Sequence, residues 1–199
     1  MKKIVLSVAA VAAMSSLVFA GGDIVEPVAA VPVVDELSGF YAGLGIGAVY
    51  TRGSDVSIDY FSTKEGQDRL GNVFFLAGYN FNEYIAVEGR YSTSFTHDED
   101  IDMDGWSLFV KPQYPVNEDF SLYALLGYGG VTLDGSKDLG PVDVDDSAFQ
   151  WGLGVDYMIT ENVSLFVDYT WLANDMDGAY AGKNSADVDA ITLGVNYYF

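Results

Sequence analysis

Tyr157-Met-Ile-Thr-Glu161-Asn-Val163 repeats a short pattern already seen in Tyr79-Asn-Phe-Asn-Glu83-Tyr-Ile85 and in Tyr114-Pro-Val-Asn-Glu118-Asp-Phe120. Each copy places an apolar residue two positions after the Tyr, then Asn or Thr, then Glu, and resumes an apolar alternation six positions after the Tyr. Each copy reads as a tight turn joining two strands. The connections between copies are longer and acidic, which puts short turns on one side and long loops on the other. The chain closes on Val195-Asn-Tyr-Tyr-Phe199. Short turns, long loops and a terminal aromatic strand are the pattern of an outer-membrane β-barrel.

Working outward from those turns, the period is two from Gly39 onward. Phe40, Ala42, Leu44, Ile46, Ala48 and Tyr50 share one face of the first strand, with Tyr41, Gly43, Gly45, Gly47 and Val49 on the other. Phe149, Trp151, Leu153, Val155 and Tyr157 oppose Gln150, Gly152, Gly154 and Asp156. In the next strand Val163, Leu165, Val167, Tyr169 and Trp171 oppose Ser164, Phe166, Asp168 and Thr170. The last strand sets Ile191, Leu193, Val195, Tyr197 and Phe199 against Thr192, Gly194, Asn196 and Tyr198. A soluble barrel would also alternate, but its water face would be rich in Lys and Glu. Here the second face is mostly Gly, Ser, Thr and Asn, which suits the narrow interior of a roughly eight-stranded barrel. The apolar face then looks at lipid. The expected fold is all-β: an eight-stranded antiparallel up-and-down transmembrane barrel over 39–199, with a mostly filled polar interior.

Two strands are less regular. The second is apolar on both faces around Phe74-Phe75-Leu76, and the fourth contains Pro112, where a bulge or early end is expected because proline removes a ladder donor. Aromatic belts are expected at both interfaces: Tyr79, Tyr114, Phe120, Tyr157, Tyr197 and Phe199 on the turn side, and Tyr50, Trp106, Trp151 and Trp171 on the loop side. Tyr197 and Phe199 also read as the insertion signal met by the barrel-assembly machinery.

Residues 1–20 read as a cleaved signal peptide: Met1-Lys2-Lys3, an apolar Ile4–Ala13, and Val18-Phe-Ala20 before Gly21. Residues 21–38, with Pro27 and Pro32, read as a periplasmic linker. The chain has no cysteine, so its stability rests on the strand ladder. Its formal charge is −20, with 29 acidic residues against 9 basic, which argues against a nucleic-acid partner. The expected partners are the bilayer and its lipopolysaccharide, with a host or surface ligand at the loops. A monomer without cofactor is expected.

The segment from Trp106 through Lys111, Tyr114-Pro-Val-Asn-Glu-Asp-Phe120 and Gly127 resembles a strand–turn–strand unit of the eight-stranded transmembrane domain of the outer membrane protein A family. Gly154 through Tyr157, Glu161 and Trp171 is similar to the next unit, and the terminal strand is also alike. The resemblance implies the barrel fold. It also implies charged residues inside, with Glu88, Lys111 and Asp156 where the family has Glu, Lys and Glu. Phe166 stands where the family has the partner Arg, so its ion network is not carried over unchanged. The peptidoglycan-binding domain that often follows such a barrel is not expected after Phe199.

Counted from the turn centres, Glu88 and Lys111 lie six residues away, Arg90 and Asp168 eight, and Asp156 four, all with inward parity. These five form the expected lumen charge layer. Buried charges in a narrow lumen pair with one another. The layer reads either as a plug that orders the interior or as the gate of a small ion path. Most acidic residues fall in four expected loops, at 51–68, 96–105, 133–147 and 173–187. Asp98, Asp100, Asp102 and Asp104 have the spacing of a divalent-cation loop, but Lys111 at the twelfth position of the Asp100 frame excludes an EF-hand. A solvated, repulsive surface is the usual meaning of such a run. His97, the only histidine, lies near Ser92, Ser94 and Asp98, but no motif fixes a nucleophile geometry and no enzyme is expected. The function expected is a non-enzymatic outer-membrane protein serving envelope integrity or surface interaction, with a small porin-like pore gated by the charge layer as the alternative.

Overall fold

The computed structural model describes residues 38–53, 67–95, 101–137, 140–180 and 183–199. The segment read as signal peptide, the linker except Ser38, and His97, Asp98 and Asp100 lie outside the described residues. Eight strands, β1 (Gly39–Gly53), β2 (Gln67–Asn82), β3 (Ile85–Ser94), β4 (Ile101–Pro115), β5 (Phe120–Lys137), β6 (Gly140–Thr160), β7 (Val163–Tyr180) and β8 (Lys183–Tyr198), pair in sequence order and close as a barrel. Every pairing is antiparallel, and β1 meets β8 from Tyr41↔Tyr198 to Gly53↔Ala186. Closure removes the sheet edge, so the ladder satisfies the backbone without water.

The repeated pattern forms the turns for a visible reason. Asn82 Oδ1 accepts hydrogen bonds from the backbone N–H groups of Tyr84 (2.8 Å) and Ile85 (3.1 Å). Asn117 Oδ1 accepts from Asp119 (3.0 Å) and Phe120 (2.9 Å) in the same way. In the third copy Thr160 Oγ1 accepts from Asn162 N–H at 3.3 Å. These Asx- and Ser/Thr-type turns leave Glu83, Glu118 and Glu161 exposed, and the chain reverses within four residues or fewer.

On the loop side the strands rise further than the sequence reading expects. Two of the expected loops, 133–147 and 173–187, are largely strand: β5 runs to Lys137 and β6 from Gly140, and β7 runs to Tyr180 and β8 from Lys183. The acidic segment 101–105 is likewise the start of β4. Above the lipid, an antiparallel ladder needs backbone pairing but not an apolar outer face, so Asp-rich sequence continues a strand that hydropathy alone would end. Strand length therefore ranges from 10 residues in β3 to 21 in β6.

Pro112 produces neither a bulge nor an early end. β4 continues to Pro115 and keeps one register with β5, from Val110↔Leu126 to Gln113↔Tyr123. Gln113 N–H donates to Tyr84 O on the β3 side at 2.8 Å, so the donor that proline lacks would point toward β5. One ladder bond is lost there and the register survives. The irregularities lie elsewhere, at Asn80/Asn82 between β2 and β3, at Met158/Thr160 between β6 and β7, and at three positions along β7 against β8.

Outside and inside are chemically inverted relative to a soluble protein. Phe40, Ile46, Leu108, Leu153 and Phe149 are exposed, whereas Glu88, Lys111, Gln150 and Asp168 are buried. Phe74 and Leu76 point inward and Phe75 outward, which resolves the doubly apolar stretch of β2. Trp106, Trp151, Tyr114, Tyr157, Tyr197 and Phe199 are exposed. Tyr50 is not part of the outer belt: it is only 5% exposed, and the Arg69 guanidinium lies 5.2 Å from its ring centroid. Close by, Arg52 pairs with Asp187 at 3.3 Å and with Asp189, and this polar cluster marks the upper limit of the lipid-facing wall of β1 and β8.

Candidate functional site: the lumen charge layer

β3 turns Ala86, Glu88, Arg90 and Ser92 inward. Residues two apart share a face of a strand, so Arg90 Nε reaches its own neighbour Glu88 Oε1 at 2.6 Å. The remaining guanidinium N–H groups cross the lumen to β7, where Nη1 and Nη2 donate to Asp168 Oδ1 and Oδ2 at 3.1 and 2.7 Å. This fork-on-carboxylate geometry is the strong form of an ion pair. Lys111 of β4 donates to Glu88 Oε2 at 3.1 Å. Two tyrosines complete the acceptors: Tyr41 of β1 donates to Glu88 at 2.5 Å and Tyr123 of β5 to Asp168 at 2.8 Å.

The cations are also held by rings. The Arg90 guanidinium carbon lies 5.6 Å from the Phe109 centroid and 5.8 Å from that of Phe166, and Lys111 Nζ lies 4.2 Å from Tyr123 and 5.1 Å from Tyr41. Glu88, Arg90, Lys111 and Asp168 thus form one network tying β1, β3, β4, β5 and β7 across the interior. Asp156 stands apart from it, accepting from the neutral donors Ser164 Oγ (2.8 Å) and Asn196 Nδ2 (3.3 Å). Where the resemblance implies a partner arginine, Phe166 packs its ring, and Arg90 from the opposite wall takes the cationic part.

Rings of this size fit because glycines face them. A Cβ at Gly78 would lie 2.3 Å from the Tyr41 ring, one at Gly154 2.4 Å from Tyr123, one at Gly194 2.5 Å from Phe166, and one at Gly127 2.8 Å from Phe109. In each case the glycine is the ring's registered partner on the neighbouring strand. Sequence reasoning missed Tyr41 and Tyr123 as part of the network. The signal was present as an inward Tyr on one strand and an inward Gly facing it on the next, Gly78 for Tyr41 and Gly154 for Tyr123.

The interior is polar only in part. Val49, Leu70, Phe74, Met103, Val131 and Leu133 belong to one buried apolar cluster, which also takes in Leu172, Ala173, Ala186, Val188 and Ala190. On β2, β4, β5, β7 and β8 these residues lie toward the loop side. Leu76 and Phe166 carry the same cluster down to the level of the charge layer, and Phe109, Tyr123 and Leu125 form a second one there, so polar and apolar side chains share the middle of the lumen and the expectation of a polar lumen holds only in part. The residues of the expected cation loop that the structure describes, Asp102 and Asp104, are exposed on β4, and Asp104 accepts from Tyr91 Oη at 3.0 Å. Ser92 is buried, and Ser94 Oγ accepts from Met103 N–H at 3.1 Å. Tyr197 and Phe199 meet edge to face, with centroids 5.1 Å apart, at the end of β8.

A closed antiparallel barrel with an apolar outer wall, aromatic rims and ion-paired side chains inside is a membrane-spanning barrel of the outer-membrane class. The chain matches the family described as outer membrane protein beta-barrel domain over residues 5–199, and it belongs to that family. It is an outer-membrane protein. It is similar to the virulence membrane protein PagC of Salmonella typhimurium, with 32% identity over 103 residues covering 47% of this chain and 50% of PagC. It is also similar to outer membrane protein A of Serratia marcescens, with 27% identity over 146 residues covering 67% of this chain and 40% of that protein. The chain thus spans half or less of the length of these relatives. Among solved structures, Ail, the attachment invasion locus protein of Yersinia pestis, superposes with a TM-score of 0.53 at 21% identity, covering 81% of this chain and 99% of Ail. Neisserial surface protein A gives 0.56 at 15% identity, covering 81% of this chain and 98% of that one. At these identities the likeness is one of fold.

Proposed function

We propose that this protein is a non-enzymatic, sealed outer-membrane barrel that serves envelope integrity and presents an acidic surface on its raised strands. The observation that carries this reading is the filled interior. The void bounded by Phe74, Arg90, Ser92, Gly105, Ser107, Thr170 and Leu172, in the middle of the lumen, holds only about 10 Å³, room for a single water. A conducting path of hydrated ions needs far more. The charge layer Glu88, Arg90, Lys111 and Asp168 then acts as a tie across the barrel, while Asp156 anchors β6 to β7 and β8. Tyr197 and Phe199 serve insertion.

Exposed Asp102, Asp104, Asp134 and Asp145 on the upper strands give the outer surface its sign. Ail has been seen in complex with the heparin analogue sucrose octasulfate. A sulfated polyanion is a poor match to a chain of formal charge −20, and the partner proposed here is a basic polypeptide surface. Binding of an arginine-rich oligopeptide and of heparin to the barrel in nanodiscs tests the reading. Salt-sensitive capture of the peptide that weakens in Asp102→Asn/Asp104→Asn/Asp134→Asn is expected. Saturable heparin binding that ignores those substitutions would sink it.

A further inference from the structure

We infer that the barrel is closed by the dry apolar block on the loop side of the lumen, and that the salt-bridged layer beneath it is not the gate. This rests on the reading of the barrel as sealed and names the part that seals it. Val49, Leu70, Met103, Val131, Leu133 and Val188 are each at most 3% exposed and pack as one cluster. They come from β1, β2, β4, β5 and β8, and Leu172 and Ala173 of β7 join them, so the block reaches most of the way around the wall.

Below the block the lining changes character. Ser92, Ser107, Gln150, Thr170 and Thr192 are all buried, and Asn72, between Leu70 and Phe74 on β2, donates upward to Met103 Sδ at 3.4 Å. Among the described residues, Asn72 Oδ1, both polar atoms of the Gln150 amide and Thr192 Oγ1 find no hydrogen-bond partner. The one-water void lies at the boundary, with Arg90, Ser92, Ser107 and Thr170 on its polar side and Phe74 and Leu172 on its apolar side. This middle zone suits internal water, because unpaired buried polar atoms recruit it.

The two zones oppose an ion differently. In the charge layer a cation losing its hydration shell finds carboxylates and hydroxyls to replace it. In the block it finds chiefly methyl groups and methylenes, beside the Met103 thioether and the Thr51 hydroxyl, and a constriction of that kind disfavours water as well as ions. Breaking a salt bridge removes charge from the lower zone and leaves the upper one dry.

The test is planar-bilayer recording of refolded protein that first passes the heat-dependent gel shift of a closed barrel. Wild type, Glu88→Gln and Lys111→Met are expected to be silent. Leu133→Asn/Val131→Thr, which places polar groups in the block with little change of volume, is expected to give discrete openings. Openings in Glu88→Gln with the block intact would overturn the inference, as would silence of a folded block variant. Openings in wild type would instead overturn the sealed reading itself.

A second arm needs almost no perturbation, because the chain has no cysteine of its own. A Ser107→Cys thiol, below the block, is expected to resist a charged methanethiosulfonate added from the loop side and to react once Leu133→Asn is introduced. Rapid labelling with the block intact would refute the inference even if every polar variant failed to fold.

Discussion

The two halves of the lumen solve one packing problem by opposite chemistry. Toward the turns, directional contacts fill the space: a fork of 2.7 and 3.1 Å from Arg90 to Asp168, Lys111 on Glu88, and tyrosine hydroxyls on both carboxylates. Toward the loops, undirected contacts among Val49, Leu70, Val131, Leu133 and Val188 fill it. The difference teaches where each kind of error is tolerated. An apolar block adapts to a change of shape by shifting neighbours, whereas an ion network missing one member leaves the others charged, buried and unpaired.

The sharpest way to break the comparison is Arg90→Met. It leaves Asp168 buried without a cationic partner and Glu88 with Lys111 alone, and a loss of about 3–5 kcal/mol is expected from the urea midpoint of the refolded barrel. Replacing the whole set, as Glu88→Gln/Arg90→Met/Lys111→Met/Asp168→Asn, is expected to recover most of that loss. No recovery would mean that Arg90 acts through packing against Phe109 and Phe166 rather than through charge. In the other half, Leu133→Ala is expected to cost about 2–4 kcal/mol through a cavity, with no gain from neutralising charges below it. A recovery there by Glu88→Gln would show that the halves are coupled.

The smallest effects test the ring-over-glycine fit. Gly78→Ala sets a methyl 2.3 Å from the Tyr41 ring and is expected to cost about 1–3 kcal/mol, relieved by Tyr41→Ala. Gly89→Ala has its nearest neighbour at 3.8 Å, in ordinary contact, and is expected to change the midpoint by less than about 0.5 kcal/mol. Equal costs at the two positions would show that strand propensity, not the ring, governs both.

Much of this architecture was legible because lipid imposes a strict period. An outward position must be apolar, so inward parity alone selected Glu88, Arg90, Lys111, Asp156 and Asp168, and all five are buried. Which of them meet was not legible. Pairing depends on the stagger between distant strands, and β3 and β7 face each other only once the barrel closes. Hence Asp156 fell among neutral donors, and Tyr41 and Tyr123 went unnoticed as hydroxyl donors. Strand ends above the lipid were hidden for the converse reason: water imposes no period, so the Asp-rich starts of β4 and β6 read as loops. Proline was over-read at Pro112, because its single missing donor faces one neighbour and leaves the other ladder intact.

Trp151 and Trp171 stack across β6 and β7 with centroids 3.7 Å apart and planes within 6°. The chain holds three tryptophans, so this pair is most of its indole absorbance. Two parallel chromophores at that separation couple their transitions, and the coupling exists only while their strands are zipped. The protein therefore carries an unlabelled optical clock: growth of an exciton couplet in circular dichroism times the meeting of β6 with β7, separately from the gel shift that times closure of β1 on β8.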